Sequence, residues 1–224
     1  MLLHSVRGSN SGAPFTLNPA PQRWSLGLDV RQKNRSMLTW LKRRLAAQRV
    51  QSRLKKHFAS AQGSPIQRST IAVSMAEIED EAVQHERKEL PQEEQPVFMM
   101  TYECFVMWSL KRGFEPVLSS QDTESAVVGM RNYFAKHAWY QSGGFEKIWT
   151  SIQEVMPWFL TVKGQQSGAI YPYTGMIIAG DGAGFSVHWP TSFNFGLHVT
   201  LTIGRLAEAG RRLAEEHVAI TQKK

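Results

Sequence analysis

The chain has 224 residues, with 26 Lys or Arg against 19 Asp or Glu and a single cysteine. One cysteine excludes an intramolecular disulfide and fits a reducing compartment, and the length allows one large domain or a medium one with appendages. The net charge of +7 is unevenly spread: residues 1–76 hold 13 basic side chains against one acid, Asp29, whereas residues 77–224 hold 13 against 18. The basic character therefore belongs to the N-terminal third.

Residues 1–36 are rich in Ser, Asn, Gly and Pro without periodicity, which predicts disorder. Residues 37–60 read as a basic helix, since 37–58 contain seven Lys or Arg and no acid. Leu38, Leu41 and Leu45 share one helical face, but Val50, Leu54 and Phe58 lie roughly opposite. The segment thus lacks the single apolar stripe of a membrane-surface helix. Dense charge with poor facial order suits phosphate contacts, which makes Lys42, Arg43, Arg44, Arg49, Arg53, Lys55 and Lys56 the candidate nucleic-acid-binding residues. The Arg- and Ser-rich, acid-poor composition of residues 1–73 is also that of a transit peptide. In a bacterial chain, a start at Met37 or Met75 would place part of this third outside the mature protein.

Residues 61–96 read as an acidic linker with one short helix. Ser74-Met75-Ala76-Glu77 has the spacing of a capping box and predicts a helix that stops before Pro91. Residues 77–96 carry eight acids against Arg87 and Lys88. A solvated linker is the plain reading; the sharper one has the acidic helix folding back on the basic arm and competing with its target.

The stretch 98–159 holds 13 of the 23 aromatic residues and predicts three helices. The first, 97–112, puts Met99, Tyr102, Phe105, Val106 and Trp108 on one buried face, with Gly113 as a left-handed stop. The second starts at Ser120 or Asp122 and ends at Gly143-Gly144. The third repeats Phe145, Ile148, Trp149, Ile152, Val155 and Met156 at helical spacing and ends at Pro157. Cys104 lies inside the first helix and reads as a buried, inert thiol.

From residue 164 to 204 the texture changes to Gly, Thr, aromatic and β-branched residues. This predicts strands at 158–162, 176–179, 185–189 and 193–203, with Asp181-Gly182 as a hairpin turn. In the last of these, Leu197, Val199, Leu201 and Ile203 alternate with His198, Thr200 and Thr202. A final helix over 205–220 packs on the sheet.

Gly180-x-Gly182-x-Gly184 does not qualify as a dinucleotide loop, because no helix is predicted to follow it. No Gly-x-x-x-x-Gly-Lys, His-Glu-x-x-His or Cys pair is present, and no cofactor is expected. The catalytic or metal-binding candidates are Asp181, His188 and His198: a lone acid near two histidines in a neutral segment. The wet sheet face, with Tyr171, Tyr173 and Trp189, offers a surface for a protein partner.

The expectation is an α+β domain over 97–222, three aromatic-rich helices and a C-terminal helix on a small antiparallel sheet, preceded by a basic arm. Its expected role is a non-catalytic, cytoplasmic binding or accessory protein whose arm contacts nucleic acid or another polyanion. Two alternatives stand beside this. One is a small enzyme or metal-binding protein using Asp181, His188 and His198; the other is a membrane-peripheral or imported, mitochondrial protein with residues 1–73 as the attachment or targeting segment.

Overall fold

The computed structural model describes residues 44–45, 47–160, 171–185, 187–189 and 192–222. The chain divides into Met1–Ala46 and Ala47–Lys224, and the elements below belong to the second unit. Among the described residues every regular element is a helix. They are α1 (47–60), α2 (Pro65–Ile78), α3 (Glu81–Glu89), α4 (Gln95–Phe114), α5 (Ser120–Phe134), α6 (Ser142–Phe159), α7 (Tyr171–Gly182) and α8 (Phe193–Thr221). The expected α+β architecture and its antiparallel sheet are therefore overturned.

Helix α4 is the axis of this unit. Fifteen of its 20 residues are buried, so it is covered on all sides rather than along one stripe. Helix α8 runs against it over the longest contact, and α2, α3, α5, α6 and α7 complete the surround. Phe98, Tyr102, Phe105 and Phe195 interlock by tilted and stacked ring contacts in the middle of this core.

The predicted strands that fall on described residues are helical or irregular instead: of 158–162, Trp158 and Phe159 end α6 with Leu160 as its C-cap, and 161–162 lie outside the described residues. Phe195, Val199, Ile203, Leu206, Gly210 and Ala214 are buried at helical spacing along α8. The alternation over 197–203 does not follow burial, because Leu197 and Leu201 are exposed while Thr202 is buried. Seven residues fit a period of two; twenty-nine fit 3.6. The β-branched content of this stretch yields to packing against α4.

Residues 176–179 lie within α7, where the glycines serve close contact. A Cβ at Gly180 would meet the Trp189 ring at 2.5 Å, and one at Gly175 would meet Met156 at 2.6 Å. The Asp181-Gly182 turn is likewise a helix ending. Gly184 takes φ of +85°, its N–H donates to the Asp181 carbonyl, and the Phe185 N–H donates to the Gly180 carbonyl at 3.1 Å. That pair of bonds closes a helix with a left-handed glycine just beyond it. The chain then leaves through residues 185–189, with Phe185 and Trp189 partly buried against the core.

The three aromatic helices are present, with shifted ends. Helix α5 is capped by Ser119, whose hydroxyl accepts from the Asp122 N–H, and stops at Phe134. Gly143 and Gly144 begin α6 instead of ending α5, and Pro157 sits inside the last turn of α6. Gly113 is helical, and its lack of a side chain answers to α8.

Residues 61–96 are not a solvated linker. The capping box belongs to Ser64 and Gln67, with Pro65 at the first helical position. Ser74 lies in mid-helix, where its hydroxyl donates back to the Thr70 carbonyl at 2.9 Å. Ile71, Ile78 and Val83 are core residues. The acids look like a solvated run in the sequence, yet they share their helices with this apolar face.

The surface expected to face a partner also goes inward. Tyr173 is buried edge-on against Phe195, and Trp189 packs on Phe98. With no strand among the described residues, Tyr173 and Trp189 form no wet sheet face; the side chain of Tyr171 lies outside the described residues.

Candidate functional site

The seven basic candidates separate by position. Lys42 and Arg43 lie outside the described residues, and Arg44 is helical and exposed. On α1, Arg49, Lys55 and Lys56 are exposed, whereas Arg53 and Leu54 are half-buried and His57 is buried. The helical period puts His57, Leu54 and Arg53 toward the body and the other three cations outward. Residues 47–60 contain no acid of their own.

What α1 meets is the α2–α3 turn, Glu79-Asp80-Glu81. Arg53 donates to the Glu79 carbonyl at 2.6 Å and the Ala76 carbonyl at 3.4 Å, satisfying acceptors that the end of α2 leaves open. Glu79 lies 2.9 Å from His57 and 3.6 Å from Lys56, and Glu81 pairs with Arg49 at 2.9 Å. Burial pulls the Glu79 carboxyl up, but the hydrogen bond and charge of His57, with Lys56 beside it, outweigh this and leave it below the ordinary carboxylate range. A polar cleft of about 380 Å³ lies between, lined by Arg49, Ser52, Arg53, Glu79 and Glu81.

The two catalytic-candidate histidines are held by different carboxylates. His188 meets Glu94 twice, through its N–H and through Nδ1, each at 2.5 Å, which fastens the 187–189 segment to the start of α4. The hydrogen bond with Glu94 raises the His188 pKa and lowers that of Glu94. His198 sits elsewhere on α8, 3.3 Å from Tyr102 and 3.4 Å from Glu77. Asp181 is exposed near the end of α7. Among the described residues no three His, Cys, Asp or Glu side chains converge as a metal site. Cys104 is enclosed, and burial pushes its thiol well up.

Two buried carboxylates stand outside the sequence-predicted set. Glu77 of α2 accepts from Tyr102 at 3.0 Å, Thr202 at 3.2 Å and Arg205 at 2.6 Å, tying α2, α4 and α8 together. Burial raises its pKa, yet the His198 bond, the Arg205 charge and the Tyr102 hydroxyl more than offset this and hold Glu77 ionised below its usual range. The available signal was Thr202 and Arg205 at i, i+3, with Glu77 placed between Ala76 and Ile78 in a helix.

Glu103 of α4 is fully buried. Its Oε1 lies 2.6 Å from His137 Nδ1 and accepts from Trp139 Nε1 at 2.8 Å, while Oε2 has no hydrogen-bond partner. Burial, only partly countered by His137 and Trp139, raises its pKa. A raised folded-state value means that folding favours the neutral carboxyl more than the unfolded chain does. Its contribution to stability is present below the unfolded pKa and is lost as pH rises through the folded one. Glu103→Gln is expected to cost about 1 kcal/mol at acidic pH and less as pH rises, and Glu103→Ala, which takes the acceptor from Trp139 and the partner from His137, about 3 kcal/mol. Urea unfolding of both variants checks this; equal costs would show that the acceptor does not matter.

No protein family profile matches the chain, and no curated protein or solved structure is significantly similar to it. Among the described residues no helix is long and apolar enough to cross a membrane.

Proposed function

We propose that the protein is a non-catalytic binding factor that engages nucleic acid or another polyanion through its basic N-terminal arm and the outer face of α1. The observation that supports this is the sidedness of α1. It carries four cations and no acid, three of them exposed, while His57, Leu54 and Arg53 turn inward. Phosphate contacts need such charge density and little else.

The test belongs in the full chain, because a chain begun at Met75 would cut α2 in two and remove Ile66 and Ile71 from the core. Arg53 is spared because it closes the end of α2. For Arg49→Gln/Lys55→Gln/Lys56→Gln, the slope of log affinity for duplex DNA against log salt should fall by about 0.9 for each phosphate that is no longer neutralised. The unfolding midpoint should not move. Binding that is absent in the parent chain, or unchanged in affinity and slope in the variant, overturns the reading.

A further inference from the structure

Three features converge on the cleft beside α1. Its basic side chains already face carboxylates: Arg49 faces Glu81, and Lys56 and His57 face Glu79. A carboxylate offers a guanidinium or ammonium the same kind of charged oxygen that a phosphate does. The cleft also contains the Ser52 hydroxyl and Arg53, so its donor side is that of a phosphate subsite, while Glu79 and Glu81 form its other wall.

The turn that supplies the acids has a cap of its own besides the backbone bonds from Arg53. Asp80 caps α3 by accepting from the Ala82 N–H at 3.0 Å, which places Glu79 just before the cap and Glu81 just after it. The carboxylates of Glu79 and Glu81 take no part in the caps of α2 or α3. Their side-chain oxygens are spent on α1 alone among the described residues.

We propose that Glu79 and Glu81 act as an intramolecular competitor for nucleic acid phosphate, occupying the α1 cations until a phosphate backbone displaces them. This rests on the polyanion reading above and adds its regulation. Displacement is feasible because the Arg49–Glu81 pair is open to water, with side chains 67% and 80% exposed, and exposed pairs are individually weak. Arg53 holds backbone carbonyls rather than carboxylates, so it keeps α1 seated while the exchange occurs. Lys55 has no acidic partner among the described residues and is the group that meets the polyanion first.

The experiment compares fluorescence anisotropy titrations of a labelled duplex of about 20 base pairs, long enough to span several phosphates, with four full-length proteins at several salt concentrations. These are the parent chain, Glu79→Gln/Glu81→Gln, Glu81→Gln alone, and Glu124→Gln/Glu154→Gln. The last pair removes the same two charges from exposed positions on α5 and α6. The competitor variant should bind about threefold to tenfold tighter, and Glu81→Gln alone about twofold to threefold, with the distant pair changing affinity less than about twofold. Glu81→Gln keeps the test decisive if removal of the His57 partner loosens α1.

Arg49→Gln should weaken binding more in the Glu81→Gln background than in the parent, whereas Lys55→Gln should weaken both alike. If the distant pair tightens binding as much as the competitor variant, bulk charge explains the effect and the proposal falls. Parent and competitor variants binding with equal affinity also sink it, while leaving the polyanion reading intact. No binding by any of the four proteins removes both.

Discussion

Gly113→Ala is expected to lower stability by about 3 kcal/mol, the upper end of what overpacking a tight contact costs. For a unit of this size that is a fall in Tm of roughly 6–12 °C. The reason is the crossing of α4 and α8. A Cβ on Gly113 would overlap the Ala207 carbonyl and come within 2.7 Å of the Arg211 nitrogen. Opposite it, a Cβ on Gly210 would lie 2.5 Å from the Leu110 carbonyl.

These obstacles are backbone atoms in helices, which cannot rotate aside as a side chain tip can. The two helices must separate, and the rings packed between them are pulled apart. Gly210→Ala should cost a similar amount, and the double variant less than the sum, because one separation relieves both clashes. Denaturant unfolding of the three variants checks this. Costs within about 0.5 kcal/mol of zero would mean that α4 and α8 do not meet backbone to backbone.

Glu77→Ala is expected to cost about 3 kcal/mol near neutral pH. The removed carboxylate leaves the buried Tyr102 hydroxyl and Thr202 without their acceptor and Arg205 without its charge partner. Arg205 is 57% exposed, so water recovers much of its share and the cost comes chiefly from the enclosed hydroxyls. Glu77→Gln keeps one acceptor oxygen and should cost about half as much.

The pH dependence separates this carboxylate from Glu103. The folded-state pKa of Glu77 is lowered, so its stabilisation is fully present above the unfolded value and is lost as pH falls through the folded one. The difference between parent and Glu77→Gln should therefore narrow as the solution is acidified below the ordinary carboxylate range. For Glu103, whose pKa is raised, the difference between parent and Gln variant should shift on the other side, as pH rises above the ordinary carboxylate range, and with the opposite sign. Urea midpoints measured from about pH 3 to 7, the span over which carboxylates titrate, decide it. A Glu77→Gln penalty that stays constant across that interval would show that the charge on Glu77 is not what holds α2 to α8.

Several parts of the molecule were legible in the residues alone. The basic third could be read from charge counts, because charge needs no folding to be seen. The helices starting near 97, 120 and 145 could be placed because long apolar repeats at 3.6 spacing admit one secondary structure, although the second was expected to run to Gly143-Gly144 and stops at Phe134. Opposite charge also left open a contact between the acidic helix of 77–90 and the basic arm, beside the solvated linker that was the plain reading, and the structure brings Glu79 and Glu81 to α1.

Tertiary structure alone decided the rest. Residues 193–203 carry β-branched and threonine side chains with a short alternation, and only the burial of Val199, Thr202 and Ile203 against α4 selects the helix. Gly175, Gly180, Gly113 and Gly210 have the composition of turns, but a neighbouring helix or ring occupies the space a side chain would need. Glu77 and Glu103 look like solvent-facing acids until their partners are known. Tyr102, Thr202 and Arg205 stand 25 to 128 residues from Glu77, and His137 stands 34 from Glu103. A local pattern fixes which face a residue takes on its own helix; whether that face meets water, a ring or a guanidinium is set by contacts remote in the chain.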